Sequence, residues 1–131
     1  MQGMATLDDV RAIARALPET VESDGRFGFA VMNRGKAKSF VWSWNERVEA
    51  KKPRVENLGV VAIRVAGEEA KQFLIGAAPG ICFTEPHYDG FPAILVRLEP
   101  CPRAQLEDLL VDGWRIQAPK ALVRAFEARV G

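Results

Sequence analysis

The stretch Cys82–Leu98, CFTEPHYDGFPAILVRL, reads as strand, sharp polar turn, strand, and the rest of the chain is organised around it. In its right-hand arm Ala93, Leu95 and Arg97 alternate with Ile94, Val96 and Leu98, so both faces are largely apolar and the strand is largely buried. Between the arms stands Pro86-His87-Tyr88-Asp89-Gly90. Proline fixes φ, aspartate bonds local backbone and glycine tolerates positive φ, so this segment is a turn. The chain's single histidine and single tyrosine are adjacent there. Rigid strands thus hold an imidazole and a phenol on a loop, the usual position of a binding site on a scaffold.

Outward from this stretch, periodicity assigns the remaining elements. Toward the C-terminus, Leu106, Leu109, Leu110 and Trp114 mark a helix from about Arg103 to Gln117; Pro119 interrupts it, and Lys120–Val130 repeats the helical spacing with Leu122, Val123 and Phe126. Toward the N-terminus, Glu68–Ile75 reads as a short helix whose apolar stripe is Ala70, Phe73 and Leu74, and Leu58–Val65 as a central strand covered on both faces. Asn45–Asn57 has neither period, concentrates charge, and reads as a long mobile loop or a hairpin-like one. Lys38–Trp44 and Phe27–Val31 alternate around the turn Asn33-Arg34-Gly35-Lys36, a hairpin, with Phe40, Trp42 and Trp44 on one face directed at the core. Thr6 with Asp9 forms a capping box for a helix over Leu7–Leu17, ended by Pro18, and Glu19–Asp24 follows as an acidic loop. Hairpin-connected strands with helices gathered on one face make an α+β domain, a mainly antiparallel sheet of about five strands spanning residues 1–131 as one unit.

Composition narrows the function classes. The chain has 131 residues, 48% of them hydrophobic, enough for one sizeable core. Its net charge is only +1, so an argument for nucleic acid must rest on where the charge lies. Cys82 and Cys101 lack metal-ligand spacing and are too few for a disulfide framework, which fits a reducing cytoplasm, and no apolar run approaches a membrane span. No metal or other cofactor is expected, and no catalytic constellation stands out: paired carboxylates are not identifiable and His87 has no evident catalytic partner. A binding domain is expected rather than an enzyme.

Two groups of residues are candidates for that binding. Between Asn33 and Glu56 seven basic residues face three acidic ones, a local +4 in a chain of +1. Arg34, Lys36, Lys38, Lys51, Lys52 and Arg54 are the expected phosphate contacts of a nucleic-acid edge. The second group is Trp44, His87, Tyr88 and Lys120. Lys120 follows Pro119, a favoured first-turn residue, so its ammonium and free backbone donors converge as an anion site, and a pocket is expected between it and the His87-Tyr88 turn. A sheet edge or the Trp42–Trp44 region is a third candidate, as a surface for a protein partner.

Several segments together resemble the MmcQ/YjbR family: Leu7-Asp8-Asp9-Val10 through Ala16-Leu17-Pro18-Glu19-Thr20, Lys38-Ser39-Phe40 after a glycine turn, Phe83 through Gly90, and Trp114 followed by Ala118-Pro119-Lys120-Ala121-Leu122. The resemblance spans nearly the whole chain. It implies a compact domain with two projecting hairpins, a double wing, and DNA as the partner.

Overall fold

Two reciprocal hydrogen bonds start the first helix. The Thr6 hydroxyl accepts from the Asp9 N–H at 3.2 Å, and the Asp9 carboxylate accepts from the Thr6 N–H at 2.9 Å. Backbone donors that have no partner inside a helix are thereby satisfied, and α1 runs Leu7–Ala16 as expected. The computed structural model describes residues 5–130, so the ends of the expected 1–131 span lie outside it. The other elements are β1 (Thr20–Glu22), β2 (Gly28–Asn33), β3 (Lys36–Glu46), β4 (Val55–Arg64), α2 (Glu68–Ala77), β5 (Cys82–Phe83), a 3-10 turn (Pro86–Tyr88), β6 (Ala93–Arg97), α3 (Arg103–Gln117) and α4 (Lys120–Val130).

The strands form one antiparallel sheet in the order β1-β2-β3-β4-β6-β5. The fold is therefore α+β, an open six-stranded sheet with helices on one face. The additional strand is β1, three residues of the acidic segment that pair with β2. Asn45–Asn57 is the end of a hairpin: β3 continues to Glu46, β4 begins at Val55, Glu46 pairs with Val55, and residues 47–54 form the connecting loop. Arg34 and Gly35 both have positive φ, 55° and 82°, the backbone of a tight two-residue hairpin turn. The β4–α2–β5 link is the one crossover, and β6 returns antiparallel between β4 and β5.

The expectation that Phe40, Trp42 and Trp44 share a core-facing side is corrected by a bulge. Phe29 pairs with Val41 and Ala30 with Ser39, which leaves Phe40 as the extra residue on β3. A bulge breaks the two-residue alternation, and both Phe40 and Val41 are fully buried in the core against α1 and α3. Trp42 and Trp44 consequently lie on the opposite face, half-buried, beside Val60, Ala62, Ala93 and Leu95.

The stripe expected for α2 is corrected as well. Phe73 points away from the protein, 72% exposed, while Lys71 is 1% exposed. Leu74, Ile75 and Ala78 pack on the helix-side core, and Lys71 lies three, four and seven residues before them, on the same side of the helix. Its Nζ donates to the carbonyls of Tyr88 at 2.6 Å and Phe91 at 3.1 Å. That contact ties α2 to the loop bearing the only histidine.

Candidate functional site

Helices cover one face of the sheet; the other is closed only in part, by the 3-10 turn and the loop after it. Glu85 starts this turn by accepting the His87 N–H at 3.1 Å, and Pro86 supplies a first residue that needs no donor. The turn folds Tyr88 down onto Val60, Ala62, Ala93 and Leu95. Its ring is buried, and its hydroxyl accepts from Trp42 Nε1 at 3.1 Å. His87 stays exposed, its ring edge-to-face with Tyr88.

Between this turn and β3 opens a cavity of about 280 Å³, lined by Arg26, Trp42, Asn45, Arg54, His87, Tyr88 and Phe91. The aromatic residues make an apolar floor, and the two guanidinium groups supply positive charge. Arg54 Nη1 donates to the Asn45 carbonyl at 2.6 Å and to Glu85 at 3.3 Å, so part of its charge is balanced. Arg26 donates through Nε and Nη2 to the Ser43 carbonyl at 3.1 and 2.6 Å. Among the described residues no carboxylate lies within 4.0 Å of Arg26. A neutral carbonyl orients this exposed guanidinium without an ion pair, the arrangement that suits an incoming anion. The Glu56 carboxylate nearby accepts from the Ser43 hydroxyl and the Phe27 N–H.

Glu85 holds the rim together. Partial burial disfavours its charge, but hydrogen bonds from Trp44 Nε1, the His87 N–H and Arg54 outweigh that, and its carboxyl lies below its ordinary value of 4.5. Because the folded value is the lower one, the stabilisation is complete above pH 4.5 and is lost as pH falls through the folded value. The Glu85→Gln protein should therefore lose less stability than the parent between pH 7 and about pH 3.5, measured by urea unfolding; equal losses would show that Glu85 does not set this limb.

The structure divides the residues expected from sequence. His87, Tyr88 and Arg54 line the cavity, and Trp44 adjoins it, its Nε1 on Glu85 at 3.0 Å and its ring edge-to-face with Phe83. Lys120 does not line it. That lysine begins α4, which packs through Phe126 on Trp114 in the helix layer, so the pocket expected between Lys120 and the His87 turn is replaced by one whose cations are Arg26 and Arg54. The six basic residues also fail to form one local patch. Arg34, Lys36 and Lys38 stand at one end of β3, an 11-residue strand, and Lys51, Lys52 and Arg54 follow its other end. At the usual rise per residue the two groups are on the order of 30 Å apart. Lys38 pairs with Val31, a helix-side core residue, so even the faces differ. Trp42 and Trp44 both spend their ring N–H groups internally.

Arg26 and Phe91 were not foreseen, nor were two further arginines of this face: Arg64 lies over the Phe91 ring at 5.7 Å and Arg97 over the Phe83 ring at 3.9 Å. Among the described residues no group of three or more His, Cys, Asp or Glu side chains converges as a metal site. Cys82 and Cys101 are fully buried. Burial pushes the Cys82 thiol up, and burial with the neighbouring Cys82 pushes Cys101 up to about 11, the opposite of what a nucleophilic thiolate needs. No helix among the described residues is long and apolar enough to cross a membrane.

The sequence is similar to the proteins named uncharacterized protein Rv2570 of Mycobacterium tuberculosis and uncharacterized protein Mb2600 of Mycobacterium bovis. With each it is 40% identical over 133 residues, covering 98% of this chain and 100% of the relative. The chain belongs to their family. No family model matches the sequence. Among solved structures, the crystal structure of Deinococcus radiodurans protein DR2400, with family-model domain DUF419, superposes with a TM-score of 0.66 over 97% of this chain and 92% of that one. At 20% identity that likeness shows the shared fold alone.

Proposed function

We propose that this domain is a binding protein for an anionic small molecule, held on the uncovered face of its sheet between Arg26, Arg54 and the His87–Tyr88 turn. One observation carries the reading: Arg26 is fixed by a backbone carbonyl, has no carboxylate partner among the described residues, and faces a concavity floored by Trp42 and Tyr88. A hydrogen bond between charged groups contributes roughly 1.5–3 kcal/mol. Arg26→Ala should therefore weaken binding of phenyl phosphate, a probe with one anionic and one flat end, tenfold or more. Quenching of the Trp42 and Trp44 fluorescence reports it. Phenyl phosphate that binds neither protein, or both equally, removes the reading.

Duplex DNA is the second reading, favoured by the resemblance to the MmcQ/YjbR family and by the shape of the hairpins. Both hairpins share β3, and their basic turns lie on the order of 30 Å apart, close to the roughly 34 Å of one duplex turn. Arg34, Lys36, Lys38, Lys51 and Lys52 are all exposed. In the same titration series a 20-base-pair duplex at 50 and 200 mM salt decides between the two. Affinity falling steeply with salt, and weakened by Lys36→Ala with Lys51→Ala, supports DNA; no binding at low salt excludes it. The paucity of cysteines and their burial fit action in a reducing cytoplasm.

A further inference from the structure

We infer that the ligand of this cleft is a nucleoside monophosphate lying across two adjoining hollows of the uncovered sheet face. The inference rests on the anion-cleft reading and adds a separate observation. Beside the first cavity is a second, of about 400 Å³, which shares Arg26, Trp42 and Phe91 with it. Small-ligand sites range upward from about 300 Å³. The first hollow, about 280 Å³, falls just short of that range, whereas the pair has room for a phosphate, a sugar and a ring.

The two hollows differ in chemistry. Arg54 belongs to the first alone, beside the His87 imidazole, and its guanidinium makes that hollow the cationic end. The second adds the Asp24 carboxylate and the hydroxyls of Ser23 and Ser39. A carboxylate repels phosphate but accepts hydrogen bonds from hydroxyl and amino groups. A ligand that fills both hollows is therefore anionic at one end and carries donors at the other. Phe91, common to both and 41% exposed, stands edge-to-face with Trp42 at 6.1 Å and offers a ring face for a flat heterocycle. A sugar phosphate lacks that heterocycle and an aryl phosphate lacks the donors. A nucleoside monophosphate has phosphate, donors and ring together.

The test titrates the protein with adenosine and uridine monophosphates, ribose 5-phosphate, adenosine and phenyl phosphate, following tryptophan fluorescence with calorimetry as a check. At least one monophosphate should bind tenfold or more tightly than the other three probes. Asp24→Asn should weaken it about fivefold and leave phenyl phosphate unchanged, whereas Phe91→Ala, which removes a wall common to both hollows, should weaken the monophosphate and phenyl phosphate alike. Ribose 5-phosphate or phenyl phosphate binding as tightly as both nucleotides overturns the inference while the anion cleft stands, as does Asp24→Asn shifting every probe alike. Failure of all probes, with Arg26→Ala silent, brings down the anion-cleft reading and this inference together.

Discussion

Replacing Gly113 with valine is expected to destabilise the protein by about 3 kcal/mol and to lower Tm by roughly 10 °C. Gly113 lies in the middle of α3, where glycine costs about 1 kcal/mol of helix propensity relative to alanine. The compensating reason is the closeness of α3 to the sheet. A Cβ built there would meet Ile63 Cγ2 at 3.1 Å, the Arg64 carbonyl at 3.2 Å and the Phe40 carbonyl at 3.3 Å. Two of these contacts are backbone, so the strands themselves would have to shift. Alanine adds only that Cβ, and its helix propensity offsets much of the crowding; valine adds two methyl groups with restricted rotation. Thermal and urea unfolding of both variants should therefore separate sharply, valine far below alanine. A valine protein within about 0.5 kcal/mol of the parent would mean that α3 does not approach the sheet this closely.

The residues whose signals are local were the ones legible in the sequence. Thr6 and Asp9 announce α1 by a bond between neighbours, and Leu106, Leu109, Leu110 and Trp114 announce α3 because one packed face imposes one period. β1 was not legible: Thr20–Glu22 is too short to show alternation, and its pairing with β2 is made by the tertiary fold. The β3 bulge leaves no mark in composition either. Phe40-Val41-Trp42-Ser43-Trp44 alternates cleanly, yet one extra residue opposite β2 turns Phe40 and Val41 together into the core and both tryptophans to the other face. Charge misled for a related reason. A segment of +4 looks like a patch when written as text, but an extended strand carries its two ends far apart. Half of the cleft was readable because His87 and Tyr88 are unique residues on a turn. Arg26 was not, since only the fold brings it across the sheet from Arg54. Lys71 did leave a signal, a lysine in helical phase with Leu74, Ile75 and Ala78.

That lysine carries the other large effect. Lys71→Ala should cost about 3 kcal/mol and Lys71→Met about half as much. The buried stem and the ammonium contribute separately, and the two substitutions divide them. Alanine removes three methylenes beyond Cβ, each about 0.8 kcal/mol when buried, together with both hydrogen bonds to the Tyr88 and Phe91 carbonyls. Methionine keeps most of the stem volume and loses only the bonds. Their loss is moderated twice. Each carbonyl still accepts a backbone N–H, from Phe91 and Ala93 respectively. Methionine also no longer holds a desolvated charge in the interior, a standing cost of any buried ion. The local consequence should exceed the global one. The Tyr88 and Phe91 carbonyls bracket Asp89 and Gly90, the part of the loop directly after His87, so amide exchange at Asp89 and Phe91 should speed up in the methionine protein more than in the β4 and β6 strands. Cleft binding should weaken with it, because Tyr88 and Phe91 are cavity walls. A methionine protein with parental exchange at those two amides would separate Lys71 from the loop, and leave the Glu85 network and the burial of Tyr88 to hold His87 in place.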